Sequence, residues 1–422
     1  MTNIIALILA GGQGKRMDIL CQSRPKPVLP FAGSLHVIDF SLSNCVNSEV
    51  RNIAVLIDYR RFQMNEYLAN WRTVNNRHAT VDILEPQNGS YQGTADAIYQ
   101  NIGYLRKSDA ELVLILAGDH IYQMDYRKMI ASHCQSGADL TVGITMVPIE
   151  QAGRFGTVEL GTDSRITHFV EKSSKSLSNL ASMGIYLFNK DVLIKRLMQD
   201  AARTDSSHDF GYAVIPNMVR HDKVFAHRFD GYWQDIGCKD AYFKANLSLV
   251  SRKPCLSFDN EWRAFTTDAS LSSIQKFTRG DIHSSLISPR CVIRGQVINS
   301  VLSTGVRIEE HATVRNSILM PGVSIGYHSV VDHCILDEGA NIARYCTLGF
   351  GDGLSTGEEH VTVVGRGAMV PPHTAIGRSC VIMPFVRPVD FQNKVILSDT
   401  TVFPTVDIED SQNMKPLMVG SR

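Results

Sequence analysis

The strictest pattern in this chain lies in its last third. Aligning Gly305, Gly322 and Gly339 brings three copies into register at a spacing of 17 residues. Ile308, Ile325 and Ile342 then coincide, as do Val314, Val331 and Leu348, and Ser317 falls on Cys334. Within a copy the apolar positions lie six apart, from Ile308 to Val314 and from Ile325 to Val331, and the later run Val364, Val370, Ile376, Ile382 keeps that spacing. This is the hexapeptide signature of a parallel β-helix with about three short strands per coil. The spacing predicts a left-handed parallel β-helix domain over 281–422, of about four or five coils, interrupted by a polar loop from Gly351 to Glu359. A polar, Pro-containing linker over 251–280 is expected to precede it.

The first 250 residues follow another rule. Apolar runs at Ile4 to Ala10, Asn52 to Ile57, Thr80 to Leu84, Leu112 to Ala117 and Leu140 to Val147 alternate with helical patterns, which predicts βαβ units and a Rossmann-like mixed sheet covered on both faces. From about 151 to 250 the elements become mixed. Phe155 to Val158 and Arg165 to Val170 read as short strands, and Lys239 to Val250 as a closing helix. In open α/β sheets ligands gather at the carboxyl ends of the strands. The unusual residues lie there: Gly11 and Gly12 after the first run, Glu85-Pro-Gln87 after the third, Gly118-Asp119-His120 after the fourth.

Two of these stretches suggest chemistry by themselves. After a continuously apolar run, Gly11, Gly12 and Gly14 permit positive φ and leave no Cβ between backbone N–H groups and a ligand, and Lys15 and Arg16 add charge just beyond. That combination suits a polyphosphate. No third glycine at the dinucleotide spacing and no Gly-Lys-Ser/Thr follows, so neither of the two commonest phosphate loops is present. Asp119, at the mouth of a buried strand, is a carboxylate that a cation would satisfy, or alternatively the N-cap of a helix starting near Asp125, for which Asp125 is itself better placed. The segment Tyr91-Gln-Gly93-Thr94-Ala-Asp-Ala97 opens a helix whose first N–H groups suit a phosphate or a base edge.

Leu9-Ala10-Gly-Gly-x-Gly-x-Arg16, continued by Arg24-Pro-Lys26-Pro, resembles the opening of the sugar-nucleotide pyrophosphorylases. Tyr91 to Ala97, Ala117-Gly-Asp-His-Ile-Tyr122, Phe169-Val-Glu171-Lys172, Ala181 to Tyr186, Ser206 to Gly211 and Tyr232 to Gly237 resemble one branch of them, the glucose-1-phosphate adenylyltransferases. The resemblance covers nearly the whole chain. It implies a nucleotidyltransferase domain over 1–250 that joins ATP and α-glucose 1-phosphate into ADP-glucose and pyrophosphate for α-glucan synthesis. It further implies that Leu9, Ala10, Gly11, Gly12 and Gly14 cradle the nucleotide with Thr94, that Gln87 and Gly93 face the base, and that Arg16 and Lys26 neutralise the triphosphate. Asp119 and Asp235 would hold Mg2+. Lys172 would contact the sugar phosphate and Glu171 the sugar hydroxyls, with Tyr91, Ser182, Tyr186, Asp209, Phe210 and Trp233 completing the glucose pocket. Ser90 stands where the branch usually has tryptophan, so UTP or dTTP remains the second donor expected.

Other function classes find less support. The 42 basic and 42 acidic residues balance, which gives no footprint for nucleic acid or an anionic membrane. The nine cysteines form no Cys-x-x-Cys pair, and there is neither a signal peptide nor an 18-residue apolar stretch, so a reduced cytoplasmic setting is expected. A β-helix acyltransferase would use a coil histidine as general base, with His311, His328, His333 and His373 as candidates, but exposed turn histidines are common and fold analogy is a weak warrant. The stacked coils, with their long edges and flat faces, are expected to mediate contacts in a homo-oligomer, a tetramer by the resemblance. A regulatory subunit without activity is disfavoured because Asp119, Lys172 and Asp235 are all present.

Overall fold

A computed structural model describes residues 3–173, 178–256, 262–267, 281–351 and 360–405, together with the backbone of 276–279. Part of the expected linker and most of the expected loop from Gly351 to Glu359 lie outside the described residues, as does 406–422.

The chain divides into two units, Met1–Ala245 with Lys253–Ile274, and Asn246–Arg252 with Gln275–Arg422. The first is a three-layer sandwich. Its sheet runs in the order Ile166–Glu171, Gly156–Leu160, Leu180–Asn189, Leu112–Ala117, Ile4–Leu9, Asn52–Leu56, Thr80–Leu84, and Leu140–Met146 and Val224–Arg228 extend a branch from Leu180–Asn189. Ile4–Leu9 pairs in parallel with both Asn52–Leu56 and Leu112–Ala117, so it is central and can show no polar face. Accordingly Ala6, Ile8 and Ala10 pack into one core and Ile5 and Leu7 into another, on opposite sides of the sheet.

Leu180–Asn189 makes the sheet mixed. It runs antiparallel to Leu112–Ala117 and to Leu140–Met146, and its register shifts between Ser182 and Ile185, where Gly184 adopts φ 67°. The bulge redirects the strand where the polar residues Ser182 and Tyr186 flank it.

The stretch expected as a linker is not simply a connection. Trp262 donates its indole N–H to Asn44 Oδ1 at 2.8 Å, and the Phe265 carbonyl accepts from Trp71 Nε1 at 3.1 Å. Phe265 itself joins the first unit's core. Two aromatic residues in a polar stretch carry no periodicity, which is why sequence pattern alone gives a loop here.

The second unit is a β-helix with the predicted register, and its parallel strands are those of a left-handed parallel β-helix. Ile308 pairs with Ile325 and Ile325 with Ile342, while Val314, Val331 and Leu348 stack on another face. Among the described residues, four successive sets of three short strands lie between Gln296 and Val370. Gly305, Gly322 and Gly339 sit at successive corners with φ 75°, 72° and 69°, a conformation that glycine adopts without strain. His311, His328, Tyr345 and His373 occupy another corner, their rings stacked in sequence at 4.8, 5.5 and 5.0 Å between centroids. The histidines 311, 328 and 373 are thus members of a corner ladder.

Candidate active site

A cleft of about 750 Å³ opens at the carboxyl ends of the parallel strands of the first unit. It collects residues from every stretch that carries the family resemblance. Leu9, Gly11, Gly12, Arg16, Lys26, Tyr91, Gly93, Thr94 and Asp119 line it, and so do Glu171, Lys172, Ser182, Tyr186, Asp209, Phe210, Trp233 and Asp235. Ala10 and Gly14 line an adjoining recess of about 200 Å³ that shares Leu9, Gly12, Arg16, Lys26 and Asp119 with the cleft. Gln87 belongs to neither lining. It is exposed, and its backbone N–H is taken by Gln100 Oε1 at 3.0 Å.

The glycine turn is more selective than expected. Of its three glycines only Gly14 has positive φ, 64°. A Cβ on Gly12 would meet nothing within 4 Å, which leaves open space beside the backbone for a ligand.

At the floor of the cleft three charges converge. Lys26, 7% exposed, places Nζ 2.7 Å from Asp119 Oδ2 and 3.5 Å from Asp235 Oδ1. Asp119 arrives at the end of Leu112–Ala117. Asp235 arrives on the short strand Trp233–Asp235, which pairs Asp235 with His120. Burial works to raise the Asp119 pKa, but the Lys26 ammonium, helped by His120, outweighs it and holds the carboxyl at about 2. Burial likewise works against the Lys26 charge, and the two carboxylates override it and raise its pKa. The helix Tyr126–Ser136 is capped by Asp125, whose side chain accepts from Arg127 N at 3.0 Å, so capping does not require Asp119.

Asp119, His120 and Asp235 are the one group of potential metal ligands among the described residues, with donor atoms within 4.8 Å of one another. The lysine already shows that the carboxylate pair favours a positive charge between its oxygens. His120 contributes differently. Its Nδ1 accepts from Trp233 Nε1–H at 3.3 Å, and indole is only a donor, so in the neutral ring the proton resides on Nε2, which faces Asp119 and Asp235 at 3.6 and 3.9 Å. An imidazole N–H adds to the carboxylates' stabilisation and is no ligand. Asp119 and Asp235 therefore fit a hard divalent cation through oxygen.

Glu171 and Lys172 form another part of the lining. Glu171 ends the strand Ile166–Glu171 with its side chain 13% exposed. Burial raises its pKa, Lys172 opposes this from 3.4 Å, and Asp209 adds to the rise. Lys172 adopts φ 46° and keeps its ammonium half-exposed. The Ser182 hydroxyl lies 3.5 Å from the Tyr186 hydroxyl, and Trp233 packs edge-on against His120 and Phe155.

Two of the donors expected at the start of the helix Thr94–Gln100 are already spent within the protein. Ala95 and Asp96 donate their N–H groups to the His208 carbonyl at 2.9 and 3.1 Å. Thr94 donates to Asp209 Oδ2 at 2.8 Å and accepts from Phe210 N at 3.0 Å. Asp209 Oδ1 accepts from Gly211 N and Tyr212 N. Gly93 is a glycine because a Cβ there would collide with the His208 carbonyl.

Sequence pattern assigns no site role to His120, Asp58, Phe155 or Gly184, all of which border or support the cleft. For Asp58 a signal existed, since it follows a buried strand just as Asp119 does. It accepts from Tyr91 N at 3.2 Å and from Arg61 at 3.2 Å, holding the Tyr91 loop. Phe155 carried none.

Known proteins are similar to this chain over most of its length. The family described as Nucleotidyl transferase matches residues 5–252, and that described as GlmU-like, C-terminal hexapeptide matches 268–370. The glucose-1-phosphate adenylyltransferase of Thermotoga neapolitana is 43% identical over 420 residues, covering 96% of this chain and 99% of the relative. Those of Thermotoga maritima and Thermomicrobium roseum are 44% and 41% identical, covering 94% and 97% of this chain and 98% and 99% of theirs. This likeness, covering 94–97% of the chain, makes it a member of the glucose-1-phosphate adenylyltransferases, within the nucleotidyl transferase family.

Proposed function

We propose that this chain transfers the adenylyl group of ATP to α-glucose 1-phosphate, releasing pyrophosphate and forming ADP-glucose, the donor for α-glucan (glycogen) synthesis. The observation that carries the reading is the placement of Lys26 between Asp119 and Asp235, where the glycine turn and the sugar wall meet in one cleft. A phosphate oxygen of the sugar attacks the α-phosphorus of ATP in line; the new P–O bond forms as the bond to the β-phosphate bridging oxygen breaks, and pyrophosphate carries off the electron pair. The attacking oxygen is already anionic, so no general base and no covalent protein intermediate is required. The protein's work is positioning and charge neutralisation. Gly11, Gly12 and Gly14 receive the triphosphate with Leu9 and Ala10, and Arg16 and Lys26 offset its charge. Lys172 meets the sugar phosphate, Glu171 the sugar hydroxyls, and Trp233 walls the ring. Asp119 and Asp235 would hold Mg2+, which when bound supplies further neutralisation of the phosphates. Gln87, exposed and outside the cleft, is not assigned to the base.

The β-helix is assigned to contacts in a homo-oligomer, with a tetramer as the expected state. All nine cysteines are free thiols, and among the described residues no helix is long and apolar enough to cross a membrane, in keeping with a cytoplasmic setting. A panel of ATP, UTP and dTTP with glucose 1-phosphate, read by pyrophosphate release, tests the reading. ATP should give the highest kcat/KM; a preference for UTP or dTTP would assign the chain a related sugar-1-phosphate nucleotidyltransferase activity instead.

A further inference from the structure

Asp200 is a carboxylate in an unfavourable place. It lies in the last turn of the helix Lys190–Ala201, where the dipole opposes negative charge, and it is 8% exposed. It is stabilised by two side chains of one short segment: Ser206 Oγ donates at 2.6 Å, and His208 Nδ1 donates at 2.9 Å. Ser206 Oγ also accepts the His208 N–H at 3.0 Å. Thus held, His208 adopts φ 51°, a conformation that residues with side chains seldom take. Its carbonyl consequently accepts from both Ala95 and Asp96. The next two residues, Asp209 and Phe210, exchange hydrogen bonds with Thr94.

Neither Asp200 nor His208 lines the cleft, yet Thr94, Asp209 and Phe210 do. We propose that Asp200 and His208 are positioning residues that fasten the segment bearing Asp209 and Phe210, on the sugar side, to Gly93 and Thr94, on the nucleotide side, so that the two substrates bind interdependently. The proposal rests on ATP and glucose 1-phosphate as the substrates. Ordering either segment by its own ligand orders the other through His208, which lowers the conformational cost of the second binding event.

The test is calorimetric titration of the intact chain with α,β-methylene-ATP and magnesium, with and without saturating glucose 1-phosphate. In the wild type, glucose 1-phosphate should tighten the analogue by at least about 5-fold. His208→Ala and Asp200→Asn should bring that factor to within about 2-fold of unity, while each ligand alone keeps its affinity within about 3-fold. His208→Asn should restore most of the coupling, because its amide donates from the position of Nδ1 and asparagine tolerates positive φ. Retention of coupling in both broken variants overturns the proposal, as does a wild type without coupling. So does loss of affinity in step with loss of folded protein that His208→Asn fails to rescue, the mark of a merely structural role. A wild type that accepts another nucleotide overturns the reading of ATP instead, and the same titrations with that nucleotide's methylene analogue then decide the clasp.

Discussion

The two units treat buried polar groups in opposite ways. In the β-helix a whole series of them is satisfied locally and repetitively: Ser300 N–H donates to Ser285 Oγ, Ser317 N–H to Ser300 Oγ and Cys334 N–H to Ser317 Oγ, every bond 3.1 Å and one coil long. At a corner, Asn299 donates to Asn316 at 2.8 Å and Asn316 to Asp332 at 3.0 Å. In the cleft, groups far apart in sequence converge and compete. Lys26 divides itself between two carboxylates, and Glu171 lies close enough to Asp209 for its pKa to rise further. A repeat that satisfies itself coil by coil specifies a shape. A convergence that leaves charges desolvated costs stability and keeps those charges available to a ligand.

The largest effect expected from this contrast is in the solenoid, where the side chains packed around Ile325 are apolar. Ile325 is fully buried between Ile308 and Ile342. Ile325→Asp should cost roughly 3–5 kcal/mol, enough to disrupt the coil stack. Light scattering after size exclusion should then show dissociation or aggregation, and the soluble fraction should bind ATP and glucose 1-phosphate in proportion to its folded content. An intact oligomer of normal stability would contradict the buried register.

Next in size is the loss of a charge where charges converge. Asp119→Asn keeps the shape but unbalances Lys26 and Asp235, and turnover should fall by about two to three orders of magnitude with nucleotide binding less affected. Pyrophosphate release at saturating magnesium, alongside equilibrium binding, measures both. Near-normal turnover of the folded variant would remove Asp119 from the reaction. Lys172→Ala comes third. Its half-exposed ammonium should meet the sugar phosphate alone, so KM for glucose 1-phosphate should rise about 10- to 150-fold and that for ATP stay nearly unchanged. Equal changes in both would place Lys172 on shared structure.

The same contrast decides what was legible in the sequence. The β-helix is legible because its packing is periodic: Ile308, Ile325 and Ile342 are neighbours in space for the reason that they are 17 apart. The strands that carry Gly11 and Asp119 are legible as apolar runs, and the family resemblance supplied Glu171, Ser182 and Trp233, whose convergence no local pattern encodes. Neither source shows the His208 carbonyl occupying the N–H groups of Ala95 and Asp96, because that bond joins segments more than a hundred residues apart. Nor does either show that Trp233 sets the His120 proton, or that Phe265 fills the core from within a polar stretch.

The smallest effect tests whether the cleft is indeed held at a cost in stability. The Glu171 pKa is raised above its ordinary 4.5, by burial first, with Asp209 adding and Lys172 opposing. A carboxyl whose folded pKa is raised binds more protons in the folded chain than in the unfolded one. Stability therefore falls as pH rises from about 4.5 through the folded value, and at neutral pH the chain carries the whole penalty. Glu171→Gln removes the titration and keeps the size. Its Tm should match the wild type near pH 4 and exceed it by about 1–3 °C at pH 7.5, while affinity for glucose 1-phosphate falls by about 10-fold through loss of a charged acceptor. Thermal melts at intervals from pH 4 to pH 8 give the comparison. If the variant is the less stable at pH 7.5, the Lys172 contact outweighs burial, and the sugar wall resembles the solenoid in satisfying its own charge.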